Sequence, residues 1–411
     1  MSSPHRRDVA VVIGICAVTL VLGSAGKACR GFWHDPMSFL CHSDIRSLYS
    51  LRGMDRDVFP YLHGELIVSR EPGPPVRYGL RPVDGANEYP VLTGILMWLP
   101  SLVSSSPDTY LLASMVLLAP FGLVTAWLLG RMTGRRALLW SASPMVVLYA
   151  FHNWDLAVVA ASVAGFWCWW RGRPIAAAVC FGVGGALKLY PVLFLLPLVL
   201  ERLGAGDRRA AIRAAAAGVG AFVLINLPFV VLGPSGWAVA YRFQTLRVPN
   251  YDSAWGVLSG VFEMDQATIT ALSTLAVIIV LAAVTWATVR RARSEGPYPF
   301  LPACAAILAG FLLVSKVHSP QYALWLVPLF VLVRIRLGLY LLFVAGNVLM
   351  YAAIFGVSVW STGARDVLVT WSVWTRAGTF LLLVIAFLRA PAAVAGALEG
   401  AEPSNEAPLP D

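Results

Sequence analysis

ATITALSTLAVIIVLAAVTWATV, residues Ala267–Val289, runs without a charged side chain and is followed at once by Arg290-Arg291-Ala292-Arg293. A helix of about 20 apolar residues crosses a ~30 Å hydrocarbon core. Lipid offers no partner to an open backbone group, so a spanning segment must satisfy its own, as a helix does. The run therefore reads as a membrane helix with an arginine anchor at its end. Five more long apolar runs, with almost no charge, follow the chain: Val9–Gly26, Tyr110–Gly130, Ala210–Leu232, Leu337–Val357 and Trp371–Leu388. Composition agrees. Of 411 residues 58% are hydrophobic and 13% charged, whereas a soluble chain carries roughly 25% charged residues. So few charges cannot cover a water-facing surface, and membrane lipids are the expected surroundings. No nucleic-acid partner is expected.

The net charge is +9, and its distribution sets the topology. Arginines cluster in 131–136, 171–173, 201–213, 290–293 and 334–336. Short basic loops stay on the cytoplasmic side. The connections between them, Phe151–Asp155, Lys188–Pro191, Gly233–Gln266, Ser315–Gln321 and Gly356–Asp366, are poorer in Arg and are assigned outside. Val91–Ser104 is apolar, short and interrupted by Pro100. Were it to span, every later arginine cluster would face outward, so it is read as a helix lying at the outer interface. The expectation is an all-α polytopic membrane protein of about twelve spanning helices, both termini inside. Residues 1–390 form a single transmembrane domain, with a first outer loop at 27–90 and the interfacial helix at 91–104. Residues 391–411, rich in Ala, Pro and Glu, read as a disordered cytoplasmic tail. Val9–Gly26 follows His5-Arg6-Arg7, but no small-x-small cleavage site succeeds it, so a first spanning helix is preferred to a signal peptide. The six cysteines make no metal pattern; Cys29 and Cys41 share the first outer loop and could pair in an oxidising compartment.

The outer assignments gather polar residues between apolar helices. Lys188 stands in Ala186-Leu187-Lys188-Leu189-Tyr190-Pro191, and Lys316 in Val314-Ser315-Lys316-Val317-His318-Ser319-Pro320-Gln321-Tyr322. A boundary lysine either snorkels to the headgroups or marks a functional site; the polar neighbours His318, Gln321 and Tyr322 exceed what an anchor needs. In Phe151-His152-Asn153-Trp154-Asp155, Asp155 opens a helix and suits an N-terminal cap, while His152 and Asn153 either bind sugar hydroxyls or face water. Asp44, in Cys41-His42-Ser43-Asp44-Ile45-Arg46-Ser47-Leu48-Tyr49, and Glu88, in Asn87-Glu88-Tyr89-Pro90, are each ambiguous alone. Tyr49, Trp237, Tyr251 and Trp255 could stack on sugar faces, although interfacial anchoring is the commoner role.

Together these segments resemble the GT-C superfamily of polyprenyl-phosphate-dependent glycosyltransferases, and more narrowly glycosyltransferase family 87 of the actinobacterial mannosyltransferase type. The resemblance rests on Ser43-Asp44-Ile45 with Leu48-Tyr49, on Glu88-Tyr89-Pro90, on Lys188-Leu189-Tyr190-Pro191, and on the segment Ser315–Pro328. It departs from the pattern at His318, where many relatives carry an aromatic residue.

The resemblance implies a GT-C-type bundle that moves a sugar, with mannose the leading choice, from a polyprenyl-phosphate donor to a glycolipid, glycan or protein acceptor at the outer face of the plasma membrane. It implies inversion, with Asp44 as general base. Lys188, Lys316 and His318 would hold the donor phosphate, with Arg242 and Arg247 in reserve. His42, Glu88, Tyr89, His152, Asn153, Asp155, Tyr190, Gln321 and Tyr322 would contact sugar or acceptor, and Val91–Ser104 would border the lipid entrance. No cofactor and no metal are expected, since the Asp55-Arg56-Asp57 pair has an arginine between its carboxylates. The alternatives are a transporter or flippase of a lipid-linked sugar, and an arabinofuranosyl or other pentosyl transferase of the same superfamily.

Overall fold

A computed structural model describes residues 3–28, 40–73, 75–356 and 361–394. The helices are α1 (Ser3–Lys27), α2 (Asp44–Leu51), α3 (Val91–Ser101), α4 (Pro107–Thr133), α5 (Leu138–Ser141), α6 (Pro144–Tyr149), α7 (Asp155–Trp170), α8 (Pro174–Leu187), α9 (Leu195–Gly204), α10 (Arg208–Leu232), α11 (Pro234–Leu246), α12 (Ala254–Phe262), α13 (Gln266–Glu295), α14 (Phe300–Val314), α15 (Ala323–Leu332), α16 (Leu337–Phe355) and α17 (Thr362–Arg389). One antiparallel hairpin pairs β1 (Glu65–Arg70) with β2 (Tyr78–Val83), Glu65 opposite Val83 and Arg70 opposite Tyr78. The chain is a helical, multi-pass membrane protein.

Long helices begin where local chemistry starts them. Ser106 and Thr109 close a reciprocal capping box ahead of α4, with Pro107 in the first turn. Asp207 caps α10 through Ala210 N at 2.9 Å, and Asp265 caps α13 through Thr268 N at 2.7 Å.

Six helical stretches among the described residues, in α1, α4–α5, α10, α13, α16 and α17, are long and apolar enough to cross a membrane. α7, α8, α14 and α15 are shorter apolar helices. At 1.5 Å per residue the 14 residues of α8 rise about 21 Å. The shortening has a cause: α8 stops at Lys188 and α14 at Ser315, where polar turns interrupt the apolar run. α3 has 11 residues and rises about 16 Å, half a span.

α8 packs between α7 and α10, α14 packs on α13 and α17, and α16 on α17. Only 11% of the apolar stretch of α10 and 17% of that of α13 is buried within the protein, against 44% for α4. α10 and α13 therefore turn most of their surface to lipid.

The arginine clusters meet at one end of the bundle. Arg136 donates to the carbonyls of Phe330, Val331 and Val333, each at 2.8 Å, Arg291 to those of Leu388 and Ala390, and Arg135 pairs with Asp8 at 2.7 Å. Residues 391–394, expected in the tail, belong to this end: Ala392 bridges Val333. Residues 395–411 lie outside the described residues, as does Cys29 and with it the question of its pairing with Cys41.

Two loops of the sequence reading are structured. The first holds α2 and the hairpin, whose Leu66 packs with Ala86 against Val239 of α11. The second, Gly233–Gln266, contains α11 and α12. Tyr61 joins the two. It is wholly buried with a left-handed φ of 72°, and its hydroxyl donates to the carbonyls of Tyr89 and Pro90 at 2.9 Å. A non-glycine residue held there costs about 1–3 kcal/mol. Its neighbours leave it room: a Cβ on Gly94 would stand 2.0 Å from the Tyr61 hydroxyl, and one on Gly236 2.4 Å from the His63 carbonyl.

Candidate active site

At the end opposite the arginines, a cavity of about 500 Å³ opens among α2, α8, α11, α13 and the 315–325 segment. His42, Asp44, Glu88, Tyr89, Lys188, Tyr190, Arg247, Lys316, Gln321 and Tyr322 all line it. Residues far apart in sequence, read separately as candidates, thus share one chamber.

Asp44 begins α2. Its amide donates to the His152 carbonyl at 2.8 Å, and the Ser43 hydroxyl to the Phe151 carbonyl at 2.8 Å, so the 151–155 turn fixes the start of α2. Asn153 Nδ2 donates to Asp44 Oδ2 at 3.0 Å and to the Tyr89 hydroxyl at 2.8 Å. His42 Nε2 lies 3.5 Å from Oδ1, and His152 Nε2 3.7 Å from Oδ2. Burial would raise the Asp44 carboxyl, but the facing His152 and His42 and the Asn153 amide outweigh it and hold the group well below the usual carboxylate range. Burial in turn lowers His152, and the facing Asp44 opposes that fall. His152 and Asn153 stand behind the cavity wall, positioning Asp44.

Asp155 does not cap its helix. It is fully buried, and its Oδ1 accepts from Lys188 Nζ at 2.6 Å and from Trp325 Nε1 at 2.6 Å. Lys188 also donates to Asn153 Oδ1 at 3.2 Å. Its ammonium sits 5.5–5.6 Å from the ring centres of Tyr89, Tyr322 and Trp325, a cation–π box. Trp325 is stacked between Tyr190 and Tyr322 at 4.3 and 3.8 Å.

Lys316 is bound differently. Its Nζ donates to the Thr245 carbonyl at 2.8 Å, the Arg247 carbonyl at 3.2 Å and Thr270 Oγ1 at 2.7 Å. Its three protons are all engaged, and burial with Arg247 nearby lowers its pKa to about 8. The ammonium therefore clamps the end of α11 to α13. Arg247, which it holds through the backbone, lines the cavity and reaches Asn250 Oδ1 at 3.0 Å.

Three candidates are placed differently from the rest. Arg242 is exposed and outside the cavity lining. His318 is buried behind Tyr322, with neither ring nitrogen hydrogen-bonded among the described residues; burial pushes its pKa well below the usual range, so it brings no charge to the cavity. Glu88 lines the cavity, but its carboxylate is committed to Arg52 at 2.5 and 2.7 Å. α3 contributes only the preceding Pro90; the apolar flank comes from Phe243 of α11, Val277 of α13 and Phe311 of α14. Sequence reading missed Arg52, Gln244, Thr270 and Trp325. Trp325 lies inside the motif Ser315–Pro328, and a hydroxyl such as Thr270 in a lipid-facing helix is a signal in itself.

A helical membrane protein whose chamber joins a carboxylate, buried cations and an apolar flank facing lipid has the parts of an enzyme acting on amphiphiles. The chain belongs to glycosyltransferase family 87, whose family model matches residues 88–315. It is 26% identical over 281 residues to the polyprenol-phosphate-mannose-dependent alpha-(1-2)-phosphatidylinositol mannoside mannosyltransferase of Mycobacterium tuberculosis. The match covers 63% of this chain and 57% of that relative's length.

Proposed function

We propose that this enzyme moves a sugar, with mannose the leading choice, from a polyprenyl-phosphate donor to a hydroxyl of a glycolipid acceptor. The donor named for the relative supports the lipid phosphate, and the acceptor named for it supports a glycolipid. The observation carrying the reading is that Asp44, Arg247 and Lys188 line one cavity whose apolar flank lies beside lipid-facing α13. The arginine end is cytoplasmic by the charge rule, which turns the cavity outward across the plasma membrane.

In the reaction the acceptor oxygen attacks the anomeric carbon as the bond from that carbon to the phosphate oxygen breaks. The electron pair leaves on the polyprenyl phosphate, and the hydroxyl proton passes to Asp44. Proton transfer to a carboxylate is easiest late, once bonding to the anomeric carbon has acidified the hydroxyl. Arg247 and Lys188 face the charge gathering on phosphate, where low dielectric strengthens them. Lys316 acts through Arg247. The polyprenyl tail leaves between α11 and α13 rather than beside α3.

The test is transfer from labelled polyprenyl-phosphomannose to a total lipid extract by protein in lipid nanodiscs. Asp44→Asn should lose about 10²–10⁴-fold in rate while still binding donor. An unchanged rate would move the base elsewhere. A wild type that uses a polyprenyl-phosphopentose and not the mannose donor would establish the pentosyl alternative.

A further inference from the structure

We propose that His42, Asp44 and His152 form a binding site for one divalent transition-metal ion at the wall of the cavity, an inference resting on Asp44 being the residue that faces the acceptor hydroxyl. The sequence suggested no metal because only the Asp55-Arg56-Asp57 pair was in view; this site is assembled by the fold from two distant turns.

The geometry is that of ligands rather than of hydrogen bonds. One donor atom from each residue lies within 4.8 Å of the other two. The separations of His42 Nε2 and His152 Nε2 from the carboxylate oxygens, 3.5 and 3.7 Å, exceed the 2.7–3.2 Å of an N–H···O bond. Two ligands each 2.0–2.2 Å from one ion at a tetrahedral angle stand about 3.4 Å apart. His152 is 2% exposed, and its Nδ1 has no partner among the described residues. A desolvated ring nitrogen left without a partner calls for an ordered water or an ion nearby.

The three residues are also held in place. The amide of Asp44 is tied to His152, and Phe355 packs on both imidazole rings, with centroids 4.4 Å from His42 and 5.2 Å from His152. His42 faces Asp44 Oδ1, while Oδ2, which His152 faces, also accepts from Asn153. The adjacent cation, Lys27, is engaged by the His42 carbonyl at 2.6 Å and the Tyr351 hydroxyl at 2.8 Å.

Two imidazoles with one carboxylate select Zn²⁺ or a neighbouring transition metal over Mg²⁺ and Ca²⁺, which favour all-oxygen shells. Three protein ligands leave a fourth position, and since His42 and Asp44 line the cavity, that position faces it. An acceptor hydroxyl entering there is acidified by the ion. Its O–H bond breaks as the new bond to the anomeric carbon forms, the proton goes to Asp44 Oδ2, and the polyprenyl phosphate leaves with its electron pair.

The experiment uses full-length protein stripped with EDTA, titrated with Co²⁺ and read by visible d–d absorption, with Zn²⁺ equilibrium dialysis alongside. One equivalent should bind with four-coordinate bands, and His42→Gln and His152→Gln should each weaken binding about tenfold or more. His42 is on the exposed rim, so its variant keeps the test valid if the buried His152→Gln fails to fold. No stoichiometric binding, or binding undiminished in His42→Gln, overturns the site. Transfer insensitive to EDTA yet abolished by Asp44→Asn removes the ion and leaves Asp44 as base, whereas loss of transfer in EDTA with recovery on adding Zn²⁺ supports the site.

Discussion

Lys188 and Lys316 each end an apolar half-length helix and precede a proline turn, and they reach the same cavity from different neighbourhoods. Lys188 faces an anion, Asp155, within a wall of aromatic rings. Lys316 faces three neutral oxygens and, among the described residues, no carboxylate. A buried ion pair is dangerous to break, because the survivor is left charged without compensation. A charge satisfied by carbonyls is a clamp whose strength follows its protonation. The first neighbourhood anchors the chamber, and the second aims Arg247 into it.

The largest effect that would break this contrast is at Asp155. Asp155→Ala leaves Lys188 buried and unpaired and should cost about 3–5 kcal/mol in thermal unfolding, with the double variant Asp155→Leu/Lys188→Met recovering most of it. Equal stability of Asp155→Ala and wild type would remove the anchor role. Next, Arg247→Ala should lower kcat about 10²-fold, while exposed Arg242→Ala stays near wild type; equal losses would mean that cavity lining does not separate the two arginines.

A pH profile sharpens the difference further. Lys316 is protonated below about 8 and neutral above, and a neutral amine has two protons for three acceptors. Transfer should fall as pH rises through about 8, and Lys316→Arg should lose that inflection. Stability should move the other way: between about 8 and the ordinary value of 10.5 the unfolded chain holds a proton that the folded chain does not, so raising pH favours folding. A flat rate profile would show that the clamp does not depend on charge. The smallest effect is expected from Thr270→Val, which removes one acceptor of Lys316 and should cost about 1 kcal/mol, read as a slight rise in KM for the donor.

Much of this was legible from local pattern. Uncharged runs, arginine clusters and the Lys188 and Lys316 turns gave the membrane class and one polar face, because lipid imposes its rule on every segment separately. What failed depended on distant partners. Asp155 looks like a helix cap until Lys188 and Trp325 arrive from 33 and 170 residues away. Arg242 and Arg247 look alike in a loop, but α11 is a helix through Leu246, so positions five apart point about 140° apart. His318 has polar neighbours in sequence and rings in space. Hydropathy does not reveal that α8 and α14 halt at a chamber, which is why the sequence leaves their ends open.

The cavity is closed by contacts between the earliest and latest parts of the chain. Lys27 reaches Tyr351 across 324 positions, and Trp325 completes the seat of Asp155. Helices enter the membrane in order as the ribosome delivers them, so α2 and α7 wait with the beginnings of a site until α15 arrives. Until then Asp155 lacks one of its two hydrogen-bond donors and Lys188 one wall of its aromatic box. A nascent chain thus carries Asp44 before its chamber is complete.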